Sequence, residues 1–309
     1  MAGAITHIII ANAAKRHPAV NDPKLRKMLS KYAEFLWLGS VSPDLPYLSA
    51  PSGALNWADL MHYEKTNGIV ISGHRELKRV WPAHGTEEEI LLVWLLGYVS
   101  HLVADATIHP IVECIVGEYA SHKPEHRTCE MTQDSLLFNA QNNGNDIRYA
   151  ELSSVIQFCR QSPYFGDLMT FWKLHAQKVY PTSGEPDPRR WFTTYARAID
   201  AAEGGSGVAA LFRHLGLGGN YIYRTTQEIL AEHPLDFQKY YASVRLPNGL
   251  PGSFLKSGFD YALHNVIVAW NALFAGLSSS LQVATVVRNW NLDTGRDMGL
   301  PGMPVTFWV

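Results

Sequence analysis

Between Leu91 and Leu137 the chain sets two rows of ionisable residues into a pattern that otherwise asks for buried helix. His101, Asp105 and His109 follow one another at intervals of four, and His126, Glu130 and Asp134 do the same on the next segment. A step of four advances an α-helix by only about 40°, so each trio lines a single face. Leu, Val, Ile and Ala surround the first trio, so its face points where the pattern expects core.

A carboxylate or imidazole buried without a partner costs several kcal/mol. For one His/Asp pair the ordinary compensation is a hydrogen-bonded network inside a helical bundle. For two trios on successive helices, divalent metal ions are the better compensation. Imidazole nitrogen and carboxylate oxygen with no thiolate at the focus suit Zn²⁺ first, with Mn²⁺ or Fe²⁺ as alternatives.

A length of 309 residues allows a sizeable core, and the net charge of −2 supplies no basic face for duplex nucleic acid. Cys114, Cys129 and Cys159 have no CxxC spacing and leave an odd thiol, so neither a disulfide framework nor a Cys₄ zinc site is implied and the pattern is that of a reducing compartment. The N-terminal MAGAITHIIIANAAKRH has a short apolar run, no basic region ahead of it and a His in its middle. It does not read as a signal peptide, and the expected location is cytoplasmic. The apolar stretches 90–118 and 262–288 are each broken by His, Asp or Asn, so they read as buried bundle helices and no transmembrane segment is expected.

Taken in order, the pattern is helical throughout and the predicted class is all-α. The first helix spans 5–16, with Thr6 as its cap and His7 in its first turn. Asp22-Pro23 opens a second that runs to about Leu38, followed by the loop GSVSPDLPY with Asp44 between two prolines. In NWADLMHYEKT, Asp59 and His62 are three apart and share a face. A helix over 66–82 precedes the long central one, which Thr86 and three glutamates open at its positive end. Pro110, directly after His109, predicts a kink or restart.

The second trio lies on a helix from His122-Lys-Pro through about Asn139, NNGND at 142–146 turns the chain, and helices follow near 149–161, 166–179 and 188–203. The glycine-rich stretch 204–220 is weak, the last strong helix covers roughly 253–289, and the tail from Asp293 has no evident secondary structure. The expected organisation is a single domain over 1–309, with 140–252 open as a lobe or a lid. No GxSxG elbow, P-loop, GxGxxG or HExxH occurs, which removes the commonest serine hydrolase, NTPase, dinucleotide and metalloprotease readings.

The order His7, Asp44, His62, His101-x₃-Asp105-x₃-His109, His126-x₃-Glu130 resembles the zinc-dependent phospholipase C family, whose fold is shared with the S1/P1 nucleases. The local wording agrees: "ITH" near the start, a "PD" loop before an aromatic, "MH", "GYVSHLVADATIHP", then H-x₃-E-x₃-D. The resemblance covers residues 5–137 and implies a first metal at Asp44, His62, His101 and Asp105, with Asp105 bridging to another ion. It implies a second metal at His109, His126 and Glu130, and a third at His7 and Asp105. In the family the third ion also takes the amine and carbonyl of an N-terminal Trp, whereas this chain starts Met-Ala-Gly. Two to three Zn²⁺ ions are expected.

The implied activity is a zinc-dependent phosphoesterase that hydrolyses a phosphodiester, phospholipid-like or a small soluble ester, with a metal-activated water. Asp44 is the candidate to take the water's proton. Asp59 is an alternative ligand to Asp44, and Asp134 is expected to orient His126 or another ligand unless it is an exposed helix charge. The alternatives are a single-strand nuclease or nucleotidase of the same fold, and a non-catalytic metal-stabilised scaffold. Nothing in the residues specifies an oligomeric state.

Overall fold

The computed structural model describes residues 3–49, 54–145, 157–203 and 223–308. Its helices are α1 (Ala4–Arg16), α2 (Pro23–Lys31), α3 (Ala33–Val41), α4 (Ala54–Tyr63), α5 (Gly68–Val80), α6 (Thr86–Val116), α7 (Lys123–Gln141), α8 (Phe165–Val179), α9 (Pro188–Glu203), α10 (Thr226–Glu232), α11 (Pro234–Phe237) and α12 (Asp260–Gly276). Strand is confined, among the described residues, to two short antiparallel hairpins, so the architecture is all-α.

The axis of the bundle is α6. Glu88 reaches back to accept the Gly85 amide at 2.8 Å, and three glutamates occupy the first turn at the positive end of the helix dipole. Every residue from Ile90 to Val112 is buried, and α1, α2, α3, α5, α7, α8 and α12 pack around it. By length and composition α6 would span a membrane, but its most apolar window is wholly enclosed by these helices. Each such Leu, Ile or Val contributes roughly 1.5–3 kcal/mol by leaving water.

The closest crossing is that of α3 over α6, where glycine meets glycine. A Cβ on Gly97 would lie 2.2 Å from the Leu36 carbonyl oxygen and 2.9 Å from Gly39 Cα, and one on Gly39 would lie 2.2 Å from the Trp94 oxygen. These obstacles are backbone atoms, so neither position admits a side chain without separating the helices. Two buried tryptophans satisfy their ring nitrogens on these helices: Trp94 Nε1 donates to Ser42 Oγ at 3.0 Å, and Trp270 Nε1 to the Leu96 carbonyl at 2.8 Å.

Several boundaries differ from those expected. The helix opened by Asp22, whose Oδ1 accepts the Lys24 and Leu25 amides at 2.7 and 3.3 Å, ends at Lys31. Tyr32 leaves helical geometry with φ −120° and its hydroxyl donates to Glu89 Oε2 at 2.8 Å, so α3 starts afresh. The N-cap of α1 is Gly3, placing Thr6 inside the first turn.

Pro110 does not interrupt α6. Proline removes an amide donor and crowds the carbonyl four residues earlier. The carbonyl freed by Pro110 is that of Ala106, against which Gly295 packs, and on the next residue Trp308 Nε1 donates to the Thr107 oxygen at 2.8 Å.

The last helix is also shorter than expected. A π-helical turn over Phe254–Phe259 leads into α12, which stops at Gly276. The tail beyond it is ordered as a hairpin, with Trp290–Asn291 paired to Arg296–Asp297. Helices α8 and α9, within the stretch open as a lobe or lid, pack into the body. Trp172 of α8 lies 5.4 Å from Trp94 and 5.3 Å from Trp191 of α9, ring to ring. Of the remaining expectations, most of the helix near 149–161 and the whole of the glycine-rich stretch lie outside the described residues.

Candidate metal centre

Four elements carry imidazoles and carboxylates to one face of α6. His7 stands in the first turn of α1, and the start of that helix is clamped by Asp134 of α7. The Asp134 carboxylate accepts the Thr6 amide at 2.9 Å, the Thr6 hydroxyl at 2.6 Å and the Tyr223 hydroxyl at 2.7 Å. It therefore caps α1 from outside, at the positive end of the dipole. A Cβ on Gly3 would come within 1.9 Å of Asp134 Oδ2, so only glycine leaves room. Asp134 is thus neither an exposed charge nor a partner of His126: it positions the helix that bears His7.

Asp44 lies in the first turn of a 3₁₀ helix, Ser42–Leu48, between Pro43 and Pro46. His62 lies in the last turn of α4, where its Nδ1 donates to the Ala58 carbonyl at 2.7 Å. His101 Nδ1 donates to the Ser40 carbonyl at 3.0 Å, and the Gly39–Gly97 crossing is what brings that carbonyl within reach.

The side chains converge on Asp105. His7 Nε2 and His109 Nε2 each lie 3.2 Å from Asp105 Oδ1, and His101 Nε2 lies 3.2 Å from Oδ2. Asp44 Oδ1 is 3.2 Å from His62 Nε2 and 3.8 Å from His101 Nε2. All these groups are buried, Asp44 being the most open at 8 % exposure. Among the described residues, two sets have ligand atoms mutually within 4.8 Å: His7, His101 and Asp105, and Asp44, His62 and His101.

Protonation decides what such an arrangement can hold. A carbonyl oxygen only accepts, so His62 and His101 each place a proton on Nδ1, and in the neutral form that binds a metal both Nε2 atoms present lone pairs. Those two Nε2 atoms face one another at 3.4 Å, between the Asp44 and Asp105 carboxylates. Lone pairs and anions aimed at one volume repel unless a cation fills it. Ligand atoms 2.0–2.1 Å from a tetrahedral ion are separated by about 3.3 Å, and the separations of 3.2 and 3.4 Å match that spacing. The donor set fits zinc.

Burial alone would raise the carboxyl of Asp44, but His101 and His62 outweigh it and hold it below the usual carboxylate range. Asp105 is likewise opposed by burial and held well below that range by His109, His101 and His7. Burial pushes His109 well below the usual imidazole range, against the pull of Asp105, and so favours the neutral ring that a metal ligand needs.

The second expected set is less compact. His109 turns Nε2 to Asp105, and His126 Nε2 donates to the Gly117 carbonyl at 2.6 Å, leaving Nδ1 as its free nitrogen. Gly117 supplies that carbonyl at the end of α6, where φ 94° favours glycine. Glu130 is buried on the same α7 face, and burial pushes it up to about 7. Among the described residues, His109, His126 and Glu130 do not form a mutually close set of the kind seen around His101.

Asp59 is exposed and accepts the Tyr47 hydroxyl at 3.3 Å, so it does not stand in for Asp44. Cys129 is buried beside Gln133, whose Nε2 donates to its Sγ, and none of the three cysteines is in a disulfide. Sequence reasoning missed Asp293, whose carboxylate lies 3.7 Å from His109 Nδ1. Its only signal was a lone carboxylate ahead of a Thr-Gly turn in a segment read as unstructured.

A model of the family described as zinc dependent phospholipase C matches residues 6–180 of the chain. No curated protein matches it, and no solved structure does.

Proposed function

The chain belongs to the zinc-dependent phospholipase C family, and from that premise we propose that it is a zinc-dependent hydrolase of phosphodiesters, with a phospholipid headgroup ester or a small soluble diester as substrate. The observation that carries this reading is the pair of facing Nε2 lone pairs on His62 and His101 between two carboxylates. In the proposal, Asp44, His62, His101 and Asp105 hold one ion, His7 and Asp105 share another, and His109, His126 and Glu130 serve a further one. Zinc, when bound, supplies the positive charge that a phosphate needs in an otherwise anionic pocket and acidifies a water for attack at phosphorus.

The protein's own part is orientation and proton handling. The Ala58 and Ser40 carbonyls fix the ring planes and tautomers of His62 and His101. Asp44 is ionised, is the most open of the carboxylates facing His62 and His101, and is the group proposed to accept the water's proton. The helices enclosing α6 exclude bulk solvent from the opposite side, which strengthens every charge interaction within. The proposal treats the chain as one domain.

A single-strand nuclease is the second reading. The Tyr47 and Tyr63 rings, centred 5.3 and 6.2 Å from that of His62, offer aromatic faces beside the site on which a base could stack. Hydrolysis of short-chain phosphatidylcholine against that of a single-stranded oligonucleotide separates the two.

The test of the function itself is elemental analysis of the purified protein together with turnover of bis-nitrophenyl phosphate. The expected result is two to three zinc ions per chain, with turnover that falls to background in Asp105→Asn while the helical circular-dichroism signal is kept. A metal content near zero after purification without chelator would remove the proposal. Zinc without turnover of any diester would favour the scaffold.

A further inference from the structure

Asp293 lies far beyond the family-matched segment, yet its carboxylate reaches the centre. It is held there by design of the tail hairpin. The Leu292 amide donates to the His62 carbonyl at 2.9 Å, tying the hairpin to the end of α4. Asn291 Oδ1 accepts the amides of Asp293 and Thr294, each at 3.1 Å, and closes the turn. Gly295, with φ 63°, sits so close to α6 that a Cβ would lie 2.4 Å from the Ala106 oxygen. Tyr63 then donates its hydroxyl to Asp293 Oδ2 at 2.9 Å. Asp293 Oδ1 is left buried, with no hydrogen bond, 3.7 Å from His109 Nδ1.

Resting on the zinc reading above, we propose that Asp293 is a positioning residue for His109, which keeps the ring proton on Nδ1 so that the Nε2 lone pair faces the ions. His109 stands between two carboxylates, Asp105 at Nε2 and Asp293 at Nδ1, and as a neutral ligand it has one proton to place. Once Asp105 is engaged by dications it no longer competes for that proton, and Asp293 retains it. A separation of 3.7 Å exceeds hydrogen-bond length, but in a water-poor surround a carboxylate still favours an N–H over a lone pair at that nitrogen. Carboxylates behind metal-bound imidazoles fix the tautomer in this way. The C-terminal hairpin thereby becomes part of the metal centre.

The test uses the full chain loaded with zinc, comparing wild type with Asp293→Ala, Asp293→Asn and Tyr63→Phe. Chelator competition should show Asp293→Ala binding an ion roughly 10–100-fold more weakly. Asp293→Asn, which keeps an acceptor oxygen, should recover part of the loss, and Tyr63→Phe should lose less. In nitrogen-edited NMR of the imidazoles, His109 should carry its proton on Nδ1 in the loaded wild type and lose that preference in Asp293→Ala. A purely structural role would change the melting temperature and leave the tautomer alone.

Wild-type zinc affinity in Asp293→Ala, or a His109 proton on Nε2 in the loaded wild type, overturns the inference and leaves the metal reading standing. Loss of a whole zinc equivalent at saturating metal would also overturn it, by making Asp293 a ligand. Should Asp293→Ala not fold, the Asn and Phe variants carry the same comparison. A wild-type protein that takes up no zinc removes the metal reading and the inference together.

Discussion

Two groups of histidines are buried in this bundle, and burial does not distinguish them. His74 is buried on α5, where its Nε2 donates to the Leu273 carbonyl at 2.8 Å. His175 is buried on α8, with Nδ1 2.8 Å from the Ser72 hydroxyl and Nε2 3.6 Å from Glu76. Each finds ordinary partners on a neighbouring helix. Around Asp105, by contrast, His62 and His101 give their Nδ1 protons to backbone carbonyls and turn Nε2 toward each other and toward carboxylates, which in the neutral rings sets lone pairs against anions. A candidate metal site is marked by ring nitrogens and carboxylates that converge with no carbonyl or hydroxyl between them.

The contrast can be broken most directly by exchanging one histidine from each group for phenylalanine. His101→Phe removes a residue common to both close sets and should cost at least one equivalent of zinc and bring diester turnover to background, read by elemental analysis and assay. His175→Phe should leave zinc content unchanged and lower stability by about 1–3 kcal/mol, measured by denaturant titration, because it strands the Ser72 partner. Equal zinc loss in both would erase the distinction.

Metal removal should act on the whole fold. Zinc held at a thousandfold over its dissociation constant stabilises by about 4 kcal/mol, so chelation should lower the melting temperature by several degrees or more. An unchanged melting curve after verified metal removal would mean that the acceptors around Asp105 tolerate one another.

The crossing that delivers the Ser40 carbonyl to His101 offers a third check. Gly97→Ala meets backbone on α3, so it should destabilise the protein by about 1–3 kcal/mol and weaken zinc binding as well. A destabilised variant with undiminished zinc affinity would separate the crossing from the centre.

The smallest effect is on pH dependence. Burial lowers His175 to about 4, while in the unfolded chain it titrates near 6.5. Between those values the unfolded state binds the extra proton, so stability falls as pH drops from about 6.5 toward 4. His175→Phe should flatten that part of a stability-against-pH curve. A slope identical to wild type would show that the ring is not kept neutral by its surroundings.

The residues His101, Asp105 and His109 could be assigned to one helical face from their interval alone, since the rise and turn of an α-helix are local and need no neighbour. The same holds for the all-α class and for the Asp22-Pro23 start of α2. Their marks are periodicity and capping chemistry, which act over a few residues. What lay beyond reach was every relation between elements. Asp134 has the right spacing to belong with His126, yet it caps α1, because the hydrogen bonds that satisfy it come from Thr6, 128 residues away. Asp293 sat in a tail read as unstructured, because its hairpin is stabilised by contacts to His62, Tyr63 and α6 rather than by propensity of its own.

By itself, then, the sequence determined which imidazoles and carboxylates are candidates to hold a metal and which of them share a helix. The tertiary structure alone decided which nitrogen of each imidazole keeps a lone pair, and which carboxylates face it. Tautomer and orientation depend on carbonyls delivered by other helices, and those arrive only when the packing of α3, α4 and the tail onto α6 is complete.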